Sequence, residues 1–138
     1  MVSLGEQHLA DAGALVTRRY RDLRGEVPAL PRRYAEVSTI LPLLREVAGA
    51  APGVVATDGG RLVGFLSGWL LPSFRGRRTV FSPEWANGAE PGHSRRIYEE
   101  MYSRAAASWV AEGYLTHMVS LLANDRDAVK GWQWLGFG

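Results

Sequence analysis

Residues 53–71 read GVVATDGGRLVGFLSGWLL, two apolar runs joined by Asp58-Gly59-Gly60. Asp-Gly supplies the positive backbone angles that a tight two-strand connection needs, so the stretch is expected to form a β-hairpin with a long second strand. The following PSFRGRR turns around Gly76, and RTVFSPEW reads as a third strand that Pro83 interrupts. Three antiparallel strands in mid-chain are the simplest arrangement. The flanking segments must then supply the cover that such a sheet needs.

Those segments carry helical periodicity. Leu9, Ala12, Val16, Tyr20 and Leu23 recur at spacings of three and four, which predicts a helix over 7–23 with one apolar stripe. Arg18, Arg19, Arg21 and Arg24 fall off that stripe and read as a solvated face and partners for the helix dipole. Pro28 and Pro31 bracket a loop, after which Ser38 or Thr39 can cap a short helix carrying Leu43, Leu44 and Val47. Pro42 is tolerable there only within the first turn. NGAEPGH is expected to be a loop, and Ser94 to cap a long helix through Glu112. On that helix Ile97, Met101, Ala105 and Trp109 form one stripe, with Tyr98, Tyr102 and Ala106 beside it. Gly113 ends it, YLTHMVSLLA reads as a buried strand, and Asn124 or Asp125 caps a last short helix. The order of elements is α/β with a mainly antiparallel front half.

At 138 residues and 46% hydrophobic composition the chain is expected to be one globular domain, 1–138. The absence of cysteine excludes a disulfide framework, a zinc-thiolate site and a cysteine nucleophile. Its longest apolar stretch is too short to span a bilayer, so a soluble, cytoplasmic protein without a membrane partner is expected. With a net charge of +2 and scattered arginines, no nucleic-acid partner is expected either. His117, alone in an apolar strand, lacks a partner at metal-ligand spacing, and no metal is expected. Ser67 in GFLSGW does not fit a nucleophile elbow, which removes hydrolase chemistry.

Three phrases in order, FSPEW at a strand end, the long helix after it, and DRDAVKGWQWLGF, give the chain its family resemblance. It resembles the GNAT superfamily of acetyl-CoA-dependent N-acetyltransferases. The resemblance implies a mixed, mainly antiparallel sheet flanked by helices, and a domain whose last strands, to which Gly136-Phe137 would lead, are missing. It also implies acetyl-CoA as co-substrate and a small-molecule or peptide amine as acceptor. Degenerate N-terminal halves of two-domain members are similar as well. The alternative is therefore a non-catalytic scaffold whose partner is a second acetyltransferase-like domain, another subunit or another copy of the chain.

Within that resemblance Glu84 is the candidate base, and Phe81 and Ser82 would offer main-chain groups to pantetheine. His93, Ser94, Arg95 and Arg96 would meet phosphate at the start of the long helix, and Asn124 stands beside Asp125, which replaces the signature asparagine. Two features depart from the family. Its pyrophosphate-loop positions, counted without gaps, hold Ala86, Ala89 and Pro91, and proline has no N–H to donate. Trp132 stands where many members carry a tyrosine that protonates the leaving thiolate, and indole is not a usable general acid. For Arg95 and Arg96 two readings stand: a phosphate anchor, or surface cations compensated by Glu99 and Glu100.

Overall fold

The computed structural model describes residues 1–92 and 94–138. Strand β1 (Val2–Ser3) leads into helices α1 (Leu9–Glu26) and α2 (Val37–Ala50). Strands β2 (Val54–Asp58), β3 (Arg61–Leu66), β4 (Trp69–Phe74), β5 (Arg77–Ser82) and β6 (Asn87–Ala89) follow. Helix α3 (Ser94–Ala111), strand β7 (Thr116–Val119) and helix α4 (Arg126–Trp134) complete the order.

The expected hairpin is β2–β3, antiparallel, and its turn uses Gly59 and Gly60 at φ of 57° and 79°, angles that side chains with a Cβ resist. The long second strand is two strands, broken at Ser67-Gly68 into β3 and β4. Its partner is broken too: Leu66 faces Asn87 and Trp69 faces Phe81, so two residues on one side oppose five on the other. The segment between β5 and β6, residues 83–86, bulges out of the ladder. Asn87–Ala89, expected as loop, re-enters as β6 against β3, because past the bulge the backbone groups of β3 still need partners. The sheet is therefore split, β1-β2-β3-β6 on one side and β4-β5-β7 on the other, with β7 parallel to β5 and at the end of its sheet.

Helices cover both faces. Leu9, Leu15, Ile40 and Leu44 pack with Val55 and Phe65, while Met101, Ala105, Trp109 and Trp132 pack with Val54, Leu66 and Val80. Burying each such large side chain is worth about 1.5–3 kcal/mol, so this two-sided core is what holds the split sheet together. Three further expectations are corrected. Glu36, not Ser38 or Thr39, takes the N-cap position of α2. Pro42 is the sixth residue of that helix, past its first turn, and removes the amide that would donate to the Ser38 carbonyl. The strand read in YLTHMVSLLA is only Thr116–Val119 and half-buried, since among the described residues no strand pairs with its outer edge.

Candidate active site

Strand β5 ends at Ser82, and the bulge that follows carries Glu84. The side chain of Asn87, 5% exposed, pins the bulge by donating to Ser82 Oγ (3.2 Å), the Pro83 carbonyl (3.0 Å) and the Ser120 carbonyl (3.4 Å). Ser120 N donates to the Ser82 carbonyl at 2.8 Å, which keeps β5 and the end of β7 together at the same level. Beside the bulge lies a small, partly open cavity of about 40 Å³. Polar side chains around it are Arg19 and Tyr20 of α1, Glu84, Asn87, Tyr98 of α3 and Asp125. That space holds about one water and no substrate.

Two contacts close the cavity on the α1 side. Arg19 donates to Asp125 Oδ1 at 3.0 Å, with both side chains less than a fifth exposed, and Asn124 Nδ2 donates to the Leu23 carbonyl at 3.1 Å. Asp125 also caps α4 by accepting from Ala128 N, which resolves the choice left open by the sequence. Tyr20 is spent on the Pro31 carbonyl (2.6 Å). Burial lifts the Tyr98 phenol above the ordinary tyrosine range; the Asp125 charge adds to that and Arg19 opposes it. The ring of Tyr98 lies 5.0 Å from that of Trp132, and a Cβ at Gly131 would come within 3.2 Å of Tyr98 Cδ2, so glycine there lets α3 and α4 close on each other.

A separate open groove of about 510 Å³ runs along the start of α3, lined by Gly92, Ser94, Arg95, Arg96, Glu99, Asp127, Lys130 and Trp134. Arg96 is paired with Glu100 at 2.9 Å. Arg95 makes no ion pair among the described residues; its guanidinium lies 3.3 Å from the centroid of the 61% exposed Trp134 ring. Helical compensation thus accounts for Arg96 and leaves Arg95 as a cation at a positive helix end. His93 lies outside the described residues.

The structure gathers Glu84 into the cavity and Ser94, Arg95 and Arg96 into the groove. Phe81 pairs with Trp69 and Met118 within the sheet, the Ser82 carbonyl is already bonded, and Asn124 fastens α1. Trp132 is 2% exposed, its Nε1 without a partner among the described residues, and packs among Tyr98, Tyr102 and Phe137. His117 is structural: its Nε2–H donates to the Tyr114 carbonyl (2.7 Å), so Nδ1 accepts from Tyr102 (2.8 Å). Among the described residues no three His, Cys, Asp or Glu side chains converge as metal ligands, and no helix is long and apolar enough to cross a membrane.

A split sheet with a bulged strand, a parallel neighbour at the splay and helices on both faces makes a mixed α/β architecture, and the chain has the fold of the GNAT acetyltransferases. Among solved structures, a ribosomal-protein-alanine N-acetyltransferase from Brucella melitensis biovar Abortus 2308 superposes with a TM-score of 0.71 at 14% identity, over 99% of this chain and 90% of that one. A probable acetyltransferase gives 0.69 at 18% identity, over 99% and 88%. The aminoglycoside N-acetyltransferase AAC(6')-Iy, in complex with CoA, gives 0.66 at 15%, over 99% and 85%. No protein-family model and no curated sequence matches the chain.

Proposed function

We propose that the chain is an acetyl-CoA-dependent N-acetyltransferase acting on an amine, small molecule or peptide. The observation that carries this reading is the coincidence of an acetyltransferase fold over 99% of the chain with a carboxylate, Glu84, held on the strand bulge inside the cleft. The groove at α3 suits the phosphate end of CoA: Arg95, Arg96 and Lys130 bring positive charge to a helix N-terminus, and Gly92 at φ 88° bends the loop despite Pro91. When bound, acetyl-CoA supplies an activated acetyl thioester. Glu84 takes the proton from the acceptor ammonium so that its lone pair becomes available. The Arg19–Asp125 and Asn124–Leu23 contacts have to part to admit both substrates, because the cavity as it stands is too small for either.

Calorimetric titration with acetyl-CoA, desulfo-CoA and adenosine bisphosphate tests this reading, followed by an amine screen that monitors free thiol. Micromolar acetyl-CoA binding that the double change Arg95→Ala/Arg96→Ala weakens about tenfold is expected, the equivalent of about 1.4 kcal/mol. Absence of binding at millimolar ligand would overturn it.

One observation favours a second reading, a non-catalytic acetyltransferase-like module. The Ser120–Ser82 hydrogen bond keeps β5 and β7 zipped where a pantetheine chain would lie, and β7 leaves its outer edge open beside an apolar groove lined by Met118, Leu121, Val129 and Phe137. Such an edge suits a partner domain or subunit. Solution sizing that finds a monomer binding acetyl-CoA counts against it.

A further inference from the structure

Resting on the acetyl-transfer reading, we propose that the acceptor amine also carries an anionic group, a carboxylate or a phosphate, which Arg24 of α1 and Arg33 of the following loop hold while Glu84 faces the amine. The α3 groove suits the phosphate end of CoA, so the cavity wall built by α1, which shares no residue with that groove, is left to the acceptor. Three side chains of α1 strap the loop onto this wall. Tyr20 donates to the Pro31 carbonyl at 2.6 Å, Arg21 Nε to the Ala35 carbonyl at 2.8 Å and Arg24 Nε to the Leu30 carbonyl at 2.9 Å. The straps fix the short turn Arg32–Ala35, whose Tyr34 ring meets that of Tyr20 edge-on at 5.8 Å.

The Arg33 guanidinium lies 4.8 Å from the centroid of the Tyr34 ring. Tyr20 belongs to the wall that Glu84 also lines, so the order outward from the carboxylate is Glu84, Tyr20, Tyr34, Arg33, with Arg24 one helical turn beyond Tyr20. One hydroxyl senses all of them: burial raises the Tyr20 phenol, Arg24 and Arg33 oppose that rise, and Tyr34 and Glu84 add to it. Among the described residues neither Arg24 nor Arg33 has an ion pair, and Arg24 keeps its terminal nitrogens unbonded. Neighbouring charges do not cancel these cations. Arg19 and Asp125 neutralise each other, and Glu26 meets Asn124 Nδ2 at 3.5 Å. What remains is a carboxylate for the ammonium and two guanidinium forks, which match the paired oxygens of a carboxylate or phosphate. A polycationic amine would approach Glu84 against both of those charges.

Free-thiol release from acetyl-CoA tests the acceptor class with matched probes: alanine against ethylamine, leucine against isoamylamine, phenylalanine against phenethylamine, and O-phosphoethanolamine against ethanolamine, with spermidine and kanamycin as polycations. The best anionic probe should exceed its partner by about tenfold or more in kcat/KM, and the pair that does so identifies carboxylate or phosphate. Arg33→Ala leaves every strap in place. It should lower kcat/KM for that probe by about tenfold while the partner and the KM for acetyl-CoA stay within about twofold, and Arg33→Glu should lower it further. Preference for spermidine or kanamycin, no turnover of any anionic probe by protein that binds acetyl-CoA, or equal effects of Arg33→Ala on both members of a pair overturn the acceptor class and leave the acetyl-CoA reading standing. Wild-type protein that binds no acetyl-CoA overturns both.

Discussion

Replacing Asn87 should destabilise the fold through the bulge it pins. Its amide makes three contacts with buried or part-buried acceptors from the end of β5, the bulge and the residue just after β7, and the residue itself is 5% exposed. With two N–H groups to share, Asn87→Ala removes about two hydrogen bonds and leaves acceptors with no water to replace them. At about 1–3 kcal/mol for such buried groups, the loss should be ~2 kcal/mol. For a domain of this size ~2 kcal/mol lowers Tm by about 7 °C. Asn87→Asp should cost more than Asn87→Ala at neutral pH, because it sets a carboxylate against the Pro83 and Ser120 carbonyls, which cannot donate. Thermal melts followed by far-UV circular dichroism measure all three proteins. A shift under about 2 °C for Asn87→Ala, or Asn87→Asp melting above Asn87→Ala, would refute the pinning argument.

Other outcomes follow from the same geometry. Glu84→Gln should reduce turnover by about 100-fold without changing acetyl-CoA affinity, and unchanged turnover would remove the base from Glu84. Arg19→Ala should loosen α1 from α4 at a cost of about 1.5–3 kcal/mol, read by chemical denaturation, and should speed hydrogen exchange in the C-terminal half of α1. Gly64→Ala should destabilise by about 1–3 kcal/mol, since its Cβ would sit 2.6 Å from Ile97 Cγ2 and 3.2 Å from the Gly88 carbonyl; a neutral melt contradicts that packing. Tyr98 predicts an alkaline limit. Its folded pKa is raised, so its contribution is complete below the ordinary tyrosine value near 10 and is lost as pH rises beyond it. Tyr98→Phe should lessen the decline in Tm above about pH 10, and Tyr20 and Tyr102, whose phenols burial also raises, should keep the remainder.

Where one local signal decided the structure, it could be read directly. The hairpin at 54–66 and the 18-residue α3 follow from a glycine turn and a four-residue stripe, and a cap at Asn124 or Asp125 follows from side-chain chemistry, the choice between them being made by the fold. The bulge was not legible, because Pro83 announces a break in the ladder but nothing in NGA says that the strand resumes at Asn87. The cavity was less legible still. Arg19 lies off the apolar stripe and reads as solvated, yet it meets a carboxylate 106 residues away, a pairing that only the finished fold creates. Tyr98 has the same spacing as any core aromatic, and only its position on the cavity wall separates it from Tyr102.

Lys130 carries the only side-chain amine in the chain, and it stands in the α3 groove beside the exposed Trp134. Under the proposed acetyl transfer the domain would meet its own reagent, and arginine, which resists acylation under such conditions, stands at every basic position but this one. Acylation of a side-chain amine in this domain could then occur only at that position. An acetyl group at that position would remove a positive charge from the groove proposed for phosphate, so self-modification and cofactor affinity are coupled through a single nitrogen.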